Sequence, residues 1–204
     1  PDPARGLRDM AEGIGVAVSM AWYRYLPIRE HIAAIFDDPA CGEMLHRIEK
    51  IRVGWVGDGT EPQALTNNAL LVGWLASRLG WKAGSQIGWP FRYIRPDGLP
   101  VEIDFFASEH ENVQETTQLL DFELHAEGCA LVQLRLTDRV GHMERVIDMP
   151  RQTCAHNARF VHARSLGAAE ALGRALAEGQ SHDLFVEAAR LAWPLLDAAQ
   201  KRNG

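Results

Sequence analysis

The chain has 204 residues, 47 % of them hydrophobic and 24 % charged, and a formal net charge of −6. Such a composition belongs to an ordinary globular protein and excludes disorder; at this length roughly 70 % of the unfolded surface is buried, as one domain or one tight two-layer unit. The negative balance argues against nucleic acid and against anionic membrane surfaces as partners.

Residues 3 to 12 read as a polar opening helix, and an apolar stretch follows from Ile14 to Trp22. Its length of about nine residues cannot span a bilayer, which takes about 20, and Asp2, Asp9 and Glu12 stand where a signal peptide wants positive charge. The stretch is therefore expected to be part of the fold. The start at Pro1, without an initiator Met, points to a piece of a longer protein. Pro27 can open the next helix, whose stripe is Ile28, Ile32, Ile35 and Phe36 and which Asp37-Asp38-Pro39 ends. A short helix over 42–46 leads into a strand from Ile48 to Val56, where Ile51, Val53 and Trp55 alternate with Arg52 and Gly54. Gly57-Asp58-Gly59 is a turn. A Trp-rich helix starts near Pro62, with Trp74, Leu75 and Leu79 on its buried face, Gly80 at its exit and Trp81 beyond.

From Phe91 to Met149 the period is two, broken by turn signals at Pro96-Asp97-Gly98, Glu127-Gly128 and Arg139-Val140-Gly141, which predicts a four-stranded antiparallel meander. Val101, Ile103 and Phe105 oppose Glu102 and Asp104; Leu120, Phe122 and Leu124 oppose Asp121, Glu123 and His125. One face is core and the other polar. Two helices follow from about 157 to 200, split near Gly179-Gln180-Ser181, with Asp183 in the first turn of the second and Pro194 placed to kink it. The expected fold class is α+β, a mainly antiparallel sheet with helices packed on one face. The expected organisation is a single domain over 1–204: N-terminal helices (1–47), strand and Trp-rich helix (48–82), meander (90–150) and C-terminal helix pair (156–200).

Few residues commit to chemistry. The pairs Glu102/Asp104 and Asp121/Glu123 could serve as acid and base, since i and i+2 on a strand point the same way, but a solvated sheet face accounts for them better. Cys41, Cys129 and Cys154 form no CxxC and suggest a reducing compartment. Cys154, His156 and His162 lack metal-ligand spacing, and on one helix the two histidines would face apart, so no metal is expected. Gly13-Ile14-Gly15 and Gly57-Asp58-Gly59 lack the third glycine of a dinucleotide site, and no cofactor is expected. Arg24 and Arg29 around Trp22, Tyr23 and Tyr25, with Arg47, Arg52, Arg78, Arg92 and Arg95, could hold the phosphate of a sugar if the fold gathers them; the other reading is surface ion pairs.

Three segments are similar to the C-terminal part of a known family, the glucose-6-phosphate dehydrogenase assembly protein OpcA. They are Trp22-Tyr23-Arg24 with Arg29-Glu30 and Ala34-Ile35-Phe36-Asp37; Gly73-Trp74-Leu75-Ala76-Ser77-Arg78-Leu79-Gly80-Trp81; and the Leu-rich helix, link and Glu-Ala ending over 172–189. Departures from its pattern fall at Ser19, Ala21 and Ile28. The resemblance implies a cytoplasmic, non-catalytic accessory protein that binds glucose-6-phosphate dehydrogenase and promotes its active oligomer. On that reading Arg24, Arg29, Tyr23 and Tyr25 are the expected partner contacts, Arg24 and Arg29 as exposed ones because they flank an aromatic run and arginine is enriched at interfaces, with surface ion pairing as their alternative. Trp74, Leu75, Leu79 and Trp81 are the expected core. The alternative is a small-molecule binding module or enzyme using the arginine cluster on a phosphorylated sugar.

Overall fold

The computed structural model describes residues 3–12, 22–23, 25–37, 42–55, 62–84, 89–107, 119–126, 129–136, 143–147, 159–161, 168–177 and 182–203. Two helices, α1 (Pro3–Ala11) and α2 (Leu26–Phe36), and a 3-10 turn (Glu43–Arg47) precede β1 (Ile48–Trp55) and the Trp-rich helix α3 (Pro62–Arg78). Then come β2 (Lys82–Ala83), β3 (Phe91–Ile94), β4 (Pro100–Ala107), β5 (Leu119–Ala126), β6 (Cys129–Leu136), β7 (Met143–Ile147) and β8 (Arg159–Val161). Two helices, α4 (Ala168–Ala177) and α5 (His182–Asn203), close the chain, with Asp183 in the first turn of α5 and Pro194 inside it.

The strands form one sheet in the order β2-β3-β4-β1-β5-β6-β7-β8, antiparallel except for the β1–β4 pair. The α+β class with a mainly antiparallel sheet is thus what the chain adopts, but the expected meander is not continuous. β1 enters it between β4 and β5, with Arg52 opposite Asp104 on one side and Glu123 on the other. Pairing β4 directly with β5 would set two acidic rows side by side, and like charges across strands repel. A strand carrying Lys50 and Arg52 between them reverses that sign. A second correction concerns the stretch expected to be helical from 157: Arg159–Val161 is an edge strand on β7, and the next described helix is Ala168–Ala177.

The apolar sides of these strands make one face of the core. Ile51, Val53, Ile103, Phe122 and Leu124 have no exposed surface, and Val101 and Phe105 are buried beside them. Against this layer lie α3 and α5, with α1 packed on α5. Tyr93 ties the layers together: its hydroxyl donates to the Leu191 carbonyl of α5 at 2.6 Å, and burial pushes its pKa far up, so it stays a donor. From Ala64 to Ala76 only Thr66 and Trp74 escape full burial, so α3 is a central helix rather than one with a single apolar stripe. Asn67 and Asn68 are buried on it as well, and among the described residues neither Oδ1 nor Nδ2 of Asn68 has a hydrogen-bond partner.

The exit of α3 follows the Gly signal. Gly80 has φ +67, its amide donates to Ser77 and the Trp81 amide to Ala76, the two bonds that let a left-handed residue stop a helix. That stop directs Trp81 into the core against Tyr93, with ring centroids 6.2 Å apart. Leu75 is buried too, whereas Trp74 and Leu79 are only partly buried and pack on the edge of the core. The weight placed on Trp74 as core therefore passes largely to Trp81, which the helix stop, not helical periodicity, positions.

Two further contacts fix the helical layer. At Gly73 an added Cβ would overlap the Ala188 carbonyl oxygen and come within 2.9 Å of the Ala192 Cβ, so α3 and α5 cross with backbones nearly touching. Near the N-terminus Arg29 is 5 % exposed; its Nη1 donates to the Trp22 carbonyl at 2.6 Å and its guanidinium lies 3.6 Å from the Trp22 ring. Trp22 in turn meets Phe185 of α5 edge-on, at 5.6 Å.

Three stability outcomes follow. In urea melts, Gly73→Val should lose at least about 3 kcal/mol because the clash is with backbone rather than a movable side chain; a parent-like midpoint would mean the helices do not cross there. Trp81→Ala should cost about 3–5 kcal/mol and Trp74→Ala clearly less, with the opposite ranking counting against the burial described. Arg29→Lys keeps the charge but loses the planar fork and the ring contact, and should lower stability by about 2 kcal/mol.

Candidate functional site

The face of the sheet turned away from α3 and α5 carries charge of alternating sign. Strand parity puts Arg92 and Ile94 of β3, Glu102, Asp104 and Phe106 of β4, Lys50, Arg52 and Gly54 of β1, and Asp121, Glu123 and His125 of β5 on it. Register then aligns them into rows. In the first, Arg92 Nη2 lies 3.8 Å and Lys50 Nζ 3.1 Å from the carboxylate of Glu102. In the second, Arg52 bridges Asp104 (Nε to Oδ2, 3.3 Å) and Glu123 (Nη1 to Oε2, 3.1 Å), and Lys50 reaches Asp104 at 4.0 Å. Glu123 also meets His125 Nε2 at 2.9 Å and accepts from Gln133 Nε2 on β6 at 3.5 Å. The Arg52 guanidinium sits 4.4 Å from the Phe106 ring, which lies over Gly54 where a Cβ would meet the ring at 2.7 Å.

This network absorbs three of the four carboxylates that could have been acid and base; a solvated face does not describe the β5 pair, since Asp121 and Glu123 are both buried. Glu102, Asp104 and Glu123 each contact a cation on a neighbouring strand, and the half-exposed pairs among them are worth little individually. Their collective effect is on pairing: cross-strand charges of opposite sign favour this strand order over its alternatives.

At the β3 side of the same face is a groove of about 930 Å³. Arg47, Lys50, Arg92 and Arg95 supply cations to its lining, and Glu49 and Glu102 supply carboxylates. Ile94, Leu99 and Pro100 form an apolar wall, and Leu99 is 55 % exposed. The wall belongs to the β3–β4 hairpin, where the Gly98 amide donates to Arg95 and the Arg95 amide to Leu99, both at 2.9 Å, with Gly98 at φ +85. That is a three-residue hairpin loop closed by a glycine in the left-handed region. Arg95 is held by three bonds to two groups: Nη1 on the Ile48 carbonyl at 3.0 Å, Nε and Nη2 on the Asp97 carboxylate at 3.0 and 2.6 Å. The bond from Arg95, then the Leu99 amide, hold the Asp97 carboxyl below its ordinary pKa. The lock is accordingly present above the ordinary carboxylate value and weakens as the pH falls.

The structure sorts the arginines named from sequence. Arg47, Arg92 and Arg95 converge in the groove, with Arg52 in the adjoining row. Arg78 is on α3, paired with Glu187 of α5. Arg29, Tyr23 and Tyr25 are buried, each at 5 % exposure or less, which corrects their assignment as partner contacts: the aromatic run is core and Arg29 is stacked into it. Arg24 lies outside the described residues, as do Cys41, Cys154, His156, His162 and the two Gly-x-Gly turns. Cys129 opens β6. Among the described residues no three His, Cys, Asp or Glu side chains form a group that could hold a metal. Lys50, Glu49 and Leu99 were missed. Parity with Arg52 on one strand was the available signal for Lys50, and a leucine following a Pro-Asp-Gly turn was the one for Leu99.

Comparisons with known proteins complete the description. No curated protein matches the sequence. Among solved structures, an oxidoreductase from Sinorhizobium meliloti is similar at 13 % identity and a TM-score of 0.49, over 98 % of this chain and 67 % of that one. A 3-ketoreductase from Actinomadura kijaniata is similar at 11 % identity and a TM-score of 0.43, over 86 % of this chain and 59 % of that one. A family model for the C-terminal domain of a glucose-6-phosphate dehydrogenase subunit, OpcA, matches residues 17–189. That span runs from ahead of the buried Trp22–Arg29 stack, across the charged sheet, to the α5 residues beneath Gly73; the chain belongs to this OpcA C-terminal domain family.

Proposed function

We propose that this chain is a non-catalytic accessory protein of the cytoplasm that binds glucose-6-phosphate dehydrogenase and promotes its assembly or activation in the oxidative pentose phosphate pathway. The observation that carries the reading is the family match over residues 17–189. The sheet face supports it, because Glu102, Asp104 and Glu123 are held by Lys50 and Arg52 in an arrangement that orders strands. Among the described residues no helix is long and apolar enough to cross a membrane.

An accessory protein that takes no part in the chemistry acts by binding the active conformation or oligomer more tightly than the inactive one; equal affinity for both shifts nothing. The coupling is reciprocal, so substrate that favours the active state tightens the complex. Added to dilute dehydrogenase from its own source, the chain should raise activity saturably and move the enzyme's size distribution toward the larger assembly. Tighter association in the presence of glucose 6-phosphate completes the pattern. Neither binding nor activation at saturating chain would end this reading.

A further inference from the structure

We propose that the tip of the β3–β4 hairpin, centred on Leu99, is a protein-docking surface that fits an apolar, nearly uncharged patch on a partner. The inference rests on the accessory reading for the partner's identity, which is then glucose-6-phosphate dehydrogenase.

The charges around the hairpin answer one another. Lys50 Nζ lies 3.1 Å and Arg92 Nη2 3.8 Å from the Glu102 carboxylate, Arg95 Nη2 lies 2.6 Å from Asp97, and Arg47 and Glu49 have partners of their own. No excess of either sign is left to draw an ion. A strongly charged partner would have to compete with these pairs, whereas a neutral one can cover them without leaving a charge buried alone. What the surface offers beyond them is apolar.

Leu99 is 55 % exposed, the most exposed large apolar side chain among the described residues. Pro100 beside it is exposed and Ile94 half-buried, and the three line one side of the groove as an apolar lip. A single surface leucine is ordinary. The way this one is held is not: its amide donates to Asp97 Oδ1 at 3.1 Å, and its carbonyl accepts from the Arg95 amide at 2.9 Å. Asp97 is in turn gripped by Arg95, whose side chain is only 8 % exposed and is anchored on the Ile48 carbonyl of β1. Leu99 is therefore tied at both backbone groups to the hairpin, and through Arg95 to the centre of the sheet, while its side chain stands in solvent. An apolar group fixed in advance avoids the ordering cost that a mobile loop incurs on binding, and that is what an interface anchor requires.

Binding of the full chain to immobilised dehydrogenase from its own source, followed by surface plasmon resonance, tests this. Leu99→Ser should weaken association about tenfold or more, as for an apolar side chain buried on binding, with the melting temperature of the free chain unchanged. Asp97→Ala keeps the leucine but releases the bracing, and should weaken association severalfold. Leu184→Ser, on α5 and 40 % exposed, should bind as the parent does. Because the surrounding charges are paired, raising the salt from about 0.1 to about 0.5 M should change the affinity by less than about twofold. Parent-like binding by Leu99→Ser or Asp97→Ala, equal loss in Leu184→Ser, or steep weakening with salt overturns the proposal. So does self-association of the free chain that Leu99→Ser abolishes, which makes the occupant a second copy. No binding by the parent chain ends the accessory reading and takes this inference with it, whereas binding that survives Leu99→Ser ends this inference alone.

Discussion

Lys50 and Arg52 reach carboxylates on both sides because β1 runs down the middle of the sheet, parallel to β4 and antiparallel to β5. On its other face the same strand offers Ile51 and Val53, fully buried beneath the helices. A single eight-residue segment thus serves as the centre of the apolar layer and as the cationic row that keeps two acidic strands apart. Central placement also brings the Ile48 carbonyl to Arg95, so the β3–β4 hairpin is anchored to β1 at the lip of the groove. Moving β1 to an edge would undo strand order, charge pairing and groove together.

The helical side is governed by close approach. Gly73 lets α3 and α5 cross almost backbone to backbone, and the facing residues Ala188 and Ala192 are small for the same reason. Contact at that distance gains dispersion energy along the crossing but tolerates no added atom. The side-chain amide of Asn68, without a partner among the described residues, is a cost borne inside this tight layer; burying such a group unpaired costs about 1–3 kcal/mol.

The two faces divide the work. The apolar face, with its aromatic ties Tyr93–Leu191, Trp81–Tyr93 and Trp22–Phe185, fixes the scaffold. The polar face holds its charges in rows, and at the β3 side it deepens into a groove. A rigid, charge-patterned surface of this kind suits recognition, where orientation and selectivity against wrong partners come from electrostatic complementarity.

Much of this was legible in the sequence because its causes are local. Alternation over 91–107 and 119–126 fixed which residues of β4 and β5 face the core, since strand side chains alternate whatever the neighbour is; Pro62 and Gly80 marked both ends of α3 through backbone geometry alone. Strand order was not legible. Periodicity states which way a side chain points but not what lies beside it, so β1 between β4 and β5 and the pairing of β8 emerged only when distant segments met. The same limit explains the partner contacts assigned to Tyr23, Tyr25 and Arg29. An arginine beside aromatics reads as an interface until the fold shows α5 lying over the cluster, and burial is a property of the neighbours, not of the residue. Likewise the sequence supplied Arg47, Arg92 and Arg95 as three separate cations. Only the tertiary structure brought them to one groove, because a hairpin and a 3-10 turn far apart in the chain fold against the same strand.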